Sequence, residues 1–275
     1  MKLLKKSKFL IIGAGNMGIS FIKALIQNRI SSKNIFILEK KVSKELNKIK
    51  RNKKIIIKKS SSGLAENFRP DIVLLAVKPD QLNAALDDVL VSIIHNSLII
   101  SIIAGKKTSE LKKLTKNPMS TVRAMTNTPV SLGMGTSIIY FDNKISRINR
   151  KLSKEFLGLV GQVNEVKNES LIDTFTAIFG SGPAYIFLLM EVLTKIALKS
   201  GLKNAHRMVI QTFLGSLLLL LSDKISPEVL RQRVTSKGGT TEAALKILSN
   251  PNGLQKLFDK AIAKAQKRSK QLSKN

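Results

Sequence analysis

The chain has 275 residues, enough for one large domain or two ordinary ones with a buried core. It has no cysteine, which excludes disulfides, thiolate metal sites and a thiol nucleophile, and its two histidines, His95 and His206, stand outside any ligand-spaced cluster, so no metal is expected. The formal charge of +29 suits an anionic cofactor and substrate, whereas scattered lysines and an aromatic share of only 5% argue against a nucleic-acid platform.

The opening MKLLKKSKF is basic but has no long apolar run, so no signal peptide is expected and a cytoplasmic setting is the default. Phe9–Ile12 reads as a strand. It leads through Ile12, Gly13, Ala14, Gly15, Asn16, Met17 and Gly18 into a helical pattern with Ile19, Ile22, Leu25 and Ile26 on one face. G-x-G-x-x-G between a strand and a helix is a dinucleotide fingerprint. Gly13 allows the tight turn, Gly15 lets a pyrophosphate approach the backbone, and Gly18 lets the helix lie close on its strand. The amides at the helix start favour the phosphates.

Asn34–Glu39 is a second strand, Val42–Ile49 a lysine-rich helix and Lys54–Lys58 a third strand. Glu39 ends the second strand, where an acid accepts hydrogen bonds from the ribose of NAD, yet Lys40 and Lys41 follow at once and can hold the 2′-phosphate of NADP. The cofactor is therefore read as NADP(H) or NAD(H). Ile72–Val77 is a buried strand, followed by Ala76, Val77, Lys78 and Pro79 at its carboxyl end. Leu82–Val91 is helical in period, Leu98–Ile103 a strand and Ser109–Leu114 a helix. Ser120–Arg123 and Gly135–Phe141 are later strands, joined by Arg123–Pro129, where Asn127 and Thr128 offer an amide and a hydroxyl to the nicotinamide. Ser146–Val160 is a helix and Gln162–Val166 the last strand. Alternating strands and helices imply an α/β, Rossmann-type, doubly wound parallel sheet over residues 1–166.

From Lys167 onward only helical patterns follow, so residues 167–275 read as an all-α domain. Ser181 is a candidate N-cap for a long helix, and Ala184–Leu198 is apolar nearly all round, which demands cover that a second copy of the chain would supply. The apolar run Met208–Leu221 is broken by Gln211, Thr212, Gly215 and Ser216, and falls short of the roughly 20 residues a membrane span needs, so a buried helix is expected. In Thr235–Leu245, two glycines and two threonines precede a helix. Amides of Gly238, Gly239, Thr240 and Thr241 would converge on a small carboxylate, with Thr240 or Thr241 as the cap.

IGAGNMG, AVKP, the Ala104–Gly105 pair, RAMTNTP, GSGPAY and TSKGGTTEAAL, in that order from Phe9 to about Leu272, resemble the motif series of the Δ1-pyrroline-5-carboxylate reductase family. The resemblance implies reduction of the cyclic imine 1-pyrroline-5-carboxylate to L-proline by NAD(P)H, the last step of proline biosynthesis. It also implies a helical dimerisation domain and homodimers assembled into larger rings, often decamers. By the same resemblance Thr241 donates or relays the proton to the imine nitrogen. Ser236, Gly238, Gly239, Thr240 and Thr241 hold the substrate carboxylate. Ile12–Gly18, Glu39, Gly63, Ala76–Pro79, Ile102, Ile103, Ala104 and Asn127 line the cofactor. Four positions depart from the family pattern: Lys237 and Thr126 stand in place of prolines, Glu39 in place of a small polar residue, and Gly63 in place of an asparagine. The competing reading is a two-domain dehydrogenase of the β-hydroxyacid type, which needs a catalytic lysine for which Lys195 is the nearest candidate.

Overall fold

In the computed structural model, which describes residues 2–65, 67–87, 89, 91–117 and 120–272, helix α1 (Lys2–Lys6) comes before the first strand. Composition alone did not suggest it; it holds because Leu4 is fully buried. Then follow β1 (Phe9–Ile12), α2 (Asn16–Gln27), β2 (Ile35–Leu38), α3 (Lys44–Lys53), β3 (Ile56–Lys58), β4 (Ile72–Leu75), α4 (Leu82–Asp87), α5 (Val91–Ile94) and β5 (Leu98–Ser101). After these come α6 (Thr108–Thr115), β6 (Thr121–Met125), β7 (Gly135–Tyr140), α7 (Arg147–Gly158), β8 (Gly161–Val166) and α8 (Leu171–Phe175). The helix expected over Leu82–Val91 is interrupted, and residues 88 and 90 of it lie outside the described residues.

The strands form one sheet in the order β3-β2-β1-β4-β5-β6-β7-β8. Ile12 stands beside Leu38 on one side and Leu75 on the other. The runs FLII, IVLL and LIIS are buried at every position, because helices cover both faces. Phe9 and Ile11 pack toward Phe21, Ile22 and Phe156, with the Phe21 and Phe156 rings stacked at 5.1 Å. Leu10 and Ile12 point the other way, to Val73, Leu75, Leu82 and Leu111. Each such buried side chain contributes about 1.5–3 kcal/mol.

One pairing departs from the all-parallel expectation: β6 and β7 are antiparallel. The connection over residues 126–134 is shorter than the dozen or so residues a parallel crossover needs. β8 returns parallel to β7 through α7.

The described chain packs as two units, one reaching to Ser181 and taking in the chain again from Ala265, the other Gly182–Lys264. The division therefore falls later than the end of β8. Residues 167–181 stay with the sheet because Arg123 on β6 ties Asp173 on α8, and Ser269 near the chain's end donates to the same carboxylate.

The second unit is built from α9 (Gly182–Lys199), α10 (Ala205–Asp223), α11 (Pro227–Arg233), α12 (Thr240–Leu248) and most of α13 (Leu254–Leu272), the last of which ends in the first unit. Ser181 does not cap α9: its hydroxyl donates to Thr176 O, and the chain enters α9 through a π-helical turn, Thr176–Gly180. No residue of α9 is buried within the single chain, and Phe187, Ile196, Leu218 and Leu221 are among the exposed apolar side chains. α10, expected from the sequence to be a buried helix, has only Ala205 buried within the single chain. By length and composition alone, Leu171–Lys199 and Ala205–Asp223 are each long and apolar enough to cross a membrane.

Candidate functional site

The parallel strands β1 to β6 all end on the same edge of the sheet, and strand order reverses between β1 and β4, where open α/β sheets hold their ligands. Gly13, at φ +91°, opens the loop after β1. A Cβ there would stand 2.7 Å from Val77 Cγ1 and 2.9 Å from the Ala76 carbonyl, so only glycine passes under the β4 loop. At Gly18 a Cβ would meet Gly13 O at 2.1 Å, which seats α2 against its own loop. Gly15, in contrast, has nothing within 4 Å of where its Cβ would be. Gly15 is also the N-cap of α2 and provides no side-chain cap, and the first amide taken is Ile19 N–H by Gly15 O at 2.9 Å. An open backbone beside uncapped first-turn amides fits a pyrophosphate.

The remaining cofactor candidates continue along that edge. Ala76 N–H donates to Ile12 O at 2.9 Å and Ile102 N–H to Leu75 O at 3.1 Å, so the two loops extend the strand ladder. Val77 and Lys78 lead to Pro79 at the head of a 3₁₀ turn, Pro79–Gln81. Ile103 N–H is held by Ser101 Oγ at 3.3 Å, and Ala104 follows. Glu39, just past β2, accepts Ala14 N–H on Oε2 at 2.7 Å and Lys41 N–H on Oε1 at 2.9 Å. Gly63 closes the Ser61–Gly63 turn after β3, where the stem of Lys58 runs 3.1 Å from a would-be Cβ.

Asn127 is used differently from the sequence expectation. Its Nδ2 donates to Phe179 O at 3.2 Å and ties the β6–β7 connection to the π-helical turn, while its Oδ1 accepts Thr136 N–H at 2.9 Å and ties that connection to the start of β7. Thr126, in place of a proline, is buried with its hydroxyl satisfied: it donates to Thr136 O at 3.3 Å and accepts from Ser137 Oγ at 2.9 Å.

The carboxylate candidates Ser236, Gly238, Gly239, Thr240 and Thr241 lie together in the second unit as a tight turn running into α12. Gly239 N–H closes the turn on Ser236 O at 3.0 Å, with Gly238 at φ +74° in its third position. Gly238 N–H donates to Glu242 Oε2 at 2.8 Å. Two of the four amides expected to converge on a ligand are thus taken within the turn, which leaves those of Thr240 and Thr241. The cap of α12 is Gly239, not a threonine, and it has no side-chain cap bond. Thr240 and Thr241 therefore occupy the first helical turn, and among the described residues neither hydroxyl is engaged. Glu242, three residues after the cap, thus takes the amide just before it, a bond the sequence does not signal because a glycine stands at the cap in place of the Ser or Thr of a capping box.

Arg123 was read only as part of a motif. It is 1% exposed, with Nη2 2.9 Å from Asp173 Oδ1 and Nη1 3.3 Å from Glu169 Oε1, and Glu169 also receives the amide and hydroxyl of Thr108. An arginine inside an otherwise apolar strand demands such partners, and that was the available signal. Lys195 of the competing reading is exposed and pairs with Glu191 one helical turn away, Nζ to Oε1 2.5 Å. The pair pulls the Glu191 carboxyl below its ordinary range. Such a surface ion pair does not make a catalytic lysine.

Two protein families match the sequence: "NADP oxidoreductase coenzyme F420-dependent" over residues 8–105, and "Pyrroline-5-carboxylate reductase dimerisation" over residues 169–272. A pyrroline-5-carboxylate reductase of Pseudomonas aeruginosa is 34% identical over 264 residues, covering 95% of this chain and 95% of that one. The structure of a pyrroline-5-carboxylate reductase from Coxiella burnetii superposes with a TM-score of 0.85 at 35% identity, over 98% of this chain and 99% of that one. Plasmodium falciparum pyrroline carboxylate reductase, crystallised with NADP bound, superposes with a TM-score of 0.83 at 26% identity, over 98% of this chain and 99% of that one.

Proposed function

The chain belongs to the pyrroline-5-carboxylate reductase family, and from that premise we propose how its own residues divide the reaction. The protein is an NAD(P)H-dependent oxidoreductase that reduces the C=N bond of 1-pyrroline-5-carboxylate to give L-proline, the last step of proline biosynthesis. It works on a small molecule and forms oligomers.

Bound NADPH or NADH supplies the hydride. What remains for the chain is binding, orientation and a proton. Residues 1–166 serve as the dinucleotide domain. Ile12–Gly18 hold the pyrophosphate against the start of α2, and Glu39, Gly63, Ala76–Pro79 and Ile102–Ala104 line the rest of the dinucleotide, with Asn127 fixing the turn beside them. Residues 167–275 serve for dimerisation and substrate binding. The amides of Thr240 and Thr241, with Ser236, hold the substrate carboxylate, while Gly238 and Gly239 shape the turn that aims them. The Thr241 hydroxyl donates to the imine nitrogen. That bond draws electron density from the C=N carbon and so assists hydride arrival there, and it needs no buried acid. Much of the rate comes from fixed orientation. The assembly is a homodimer through the C-terminal helices, extended to a decamer, in the cytoplasm.

The observation that carries this reading is Thr241 in the first turn of an uncapped helix, with amide and hydroxyl both uncommitted among the described residues. Steady-state oxidation of NADPH and of NADH in the presence of 1-pyrroline-5-carboxylate, with proline measured as product, tests it. Consumption of either cofactor with matching proline supports the reading. Dinucleotide binding with no turnover of this imine would refute the substrate assignment.

A further inference from the structure

We infer that Asn127 is a positioning residue for hydride transfer: it holds the joint at which the chain passes from the sheet half to the helical half. The inference rests on the division of labour proposed above, with the dinucleotide in the first half and the substrate turn in the second. From Leu171 to Lys199 the chain is helical nearly throughout, and the boundary between the two packed units falls within that stretch, between Ser181 and Gly182. Just before it lies the π-helical turn Thr176–Gly180. Pro183 gives a reason for that turn. In an α-helix the carbonyl of Phe179 would accept from the residue four further on, which is Pro183; proline has no N–H, and its ring crowds the same carbonyl. The helix widens there, with Ser181 N–H reaching five residues back to Thr176 O at 2.9 Å. Asn127 Nδ2 takes the place of the missing backbone donor, on Phe179 O at 3.2 Å.

The other end of that amide is anchored on the sheet side. Asn127 is 8% exposed, and its Oδ1 accepts Thr136 N–H from β7 at 2.9 Å. Its backbone opens the 3₁₀ turn Thr128–Leu132, which packs on α2, the helix whose first turn faces the proposed pyrophosphate site. One buried side chain thus ties the cofactor edge of the sheet to the joint from which the substrate half departs. Hydride transfer demands a near-attack geometry, and a misplacement of about 1 Å costs about 10²-fold in rate even when its source lies away from the chemistry. A joint loosened by Pro183 and stiffened by Asn127 is therefore a point at which rate is set without a contact to either ligand.

The test compares the purified full-length protein with Asn127→Asp, Pro183→Ala and the double variant, by NADPH titration and by steady-state kinetics with 1-pyrroline-5-carboxylate. Asn127→Asp keeps the oxygen that accepts Thr136 N–H and loses the donor to Phe179 O. Asn127→Ala, which buries no charge, is the second variant should the first fail to fold. Either should lower kcat by about tenfold or more, while NADPH affinity stays within about twofold. Pro183→Ala returns an N–H to position 183, so the helix itself supplies the donor to Phe179 O. In the double variant most of kcat should return. Loss of NADPH affinity in step with kcat would overturn the inference, by making Asn127 a ligand of the nucleotide. So would an unchanged kcat, or a double variant no faster than the single Asn127 variant. Those three results leave the reductase reading intact. A wild type that binds NADPH but does not reduce the imine would overturn that reading, and the inference with it.

Discussion

Arg123 on β6 and Ser269 on α13 meet on a single atom: Oδ1 of Asp173 accepts Arg123 Nη2 at 2.9 Å and Ser269 Oγ at 3.1 Å. A strand, the start of the helical half and the chain's last helix are thus pinned by one carboxylate that is 6% exposed. Arg123 Nε is buried without a partner among the described residues, so the guanidinium already stands near the limit of what its surroundings satisfy. Breaking one side of a buried pair leaves the other charge uncompensated, at a cost of about 3–5 kcal/mol. Asp173→Asn and Arg123→Met should each lower stability on that scale in urea unfolding. The double variant Arg123→Met/Asp173→Leu should recover part of the loss, because both charges leave together.

Gly15 and Gly18 separate binding from folding. Gly18→Ala puts a Cβ 2.1 Å from Gly13 O, so the loop must shift and stability should fall by about 1–3 kcal/mol. Gly15→Ala meets nothing within 4 Å, so the protein should fold with a loss of about 1 kcal/mol or less. Its new methyl group stands where the pyrophosphate must approach, and NAD(P)H affinity should drop by about tenfold or more. Thermal melts and nucleotide titrations on the same samples check both.

Thr241→Ala should lower kcat by about 10²-fold, the lower end of what a positioned proton donor supplies. NADH binding should be unchanged, since the glycine loop is untouched. Thr241→Ser, which keeps the hydroxyl, should restore most of kcat. Thr240→Ala should raise KM for the imine more than it lowers kcat, because what Thr240 offers the carboxylate is mainly its amide.

Lys237 is the second residue of a turn whose third residue, Gly238, has φ +74°, the pattern of a type II turn. Proline suits that second position and narrows the unfolded chain's freedom. Lys237→Pro should therefore add about 0.4–1 kcal/mol of stability. It should also lower KM for the substrate, because the Thr240 and Thr241 amides are then held more firmly. Unfolding curves and initial rates are the measurements.

The strands were legible because burial on both faces writes itself as unbroken apolar runs, as in FLII and IVLL. The glycine loop was legible because the close approaches at Gly13 and Gly18 admit no Cβ and the pyrophosphate side at Gly15 must stay open. What stayed hidden depends on contacts distant in sequence. The antiparallel β7 follows from a short connection rather than from any residue pattern. That Thr240 and Thr241 are not caps became visible only once Gly239 held the cap position. The partners of Arg123 lie 46 and 50 residues away.

The apolar surface of the second unit carries the last prediction. Phe187, Leu218 and Leu221 are 64%, 55% and 63% exposed on the single chain, far more apolar surface than a monomer ordinarily leaves in water. Two coverings suit such helices, a partner chain or a bilayer. The stretch Leu171–Lys199 includes Asp173, Glu191 and Lys195, and charges of that kind are expensive in hydrocarbon. A polar rim with a paired Glu191 and Lys195 suits a protein interface better, which agrees with oligomer formation in this family. Leu218→Arg should thus convert the purified oligomer to smaller species in sedimentation velocity, without detergent. Its melting temperature should fall and cease to rise with protein concentration, because the stabilisation drawn from association is lost. An unchanged mass would place the interface elsewhere on the chain. A wild type that sediments only with lipid vesicles would favour the bilayer.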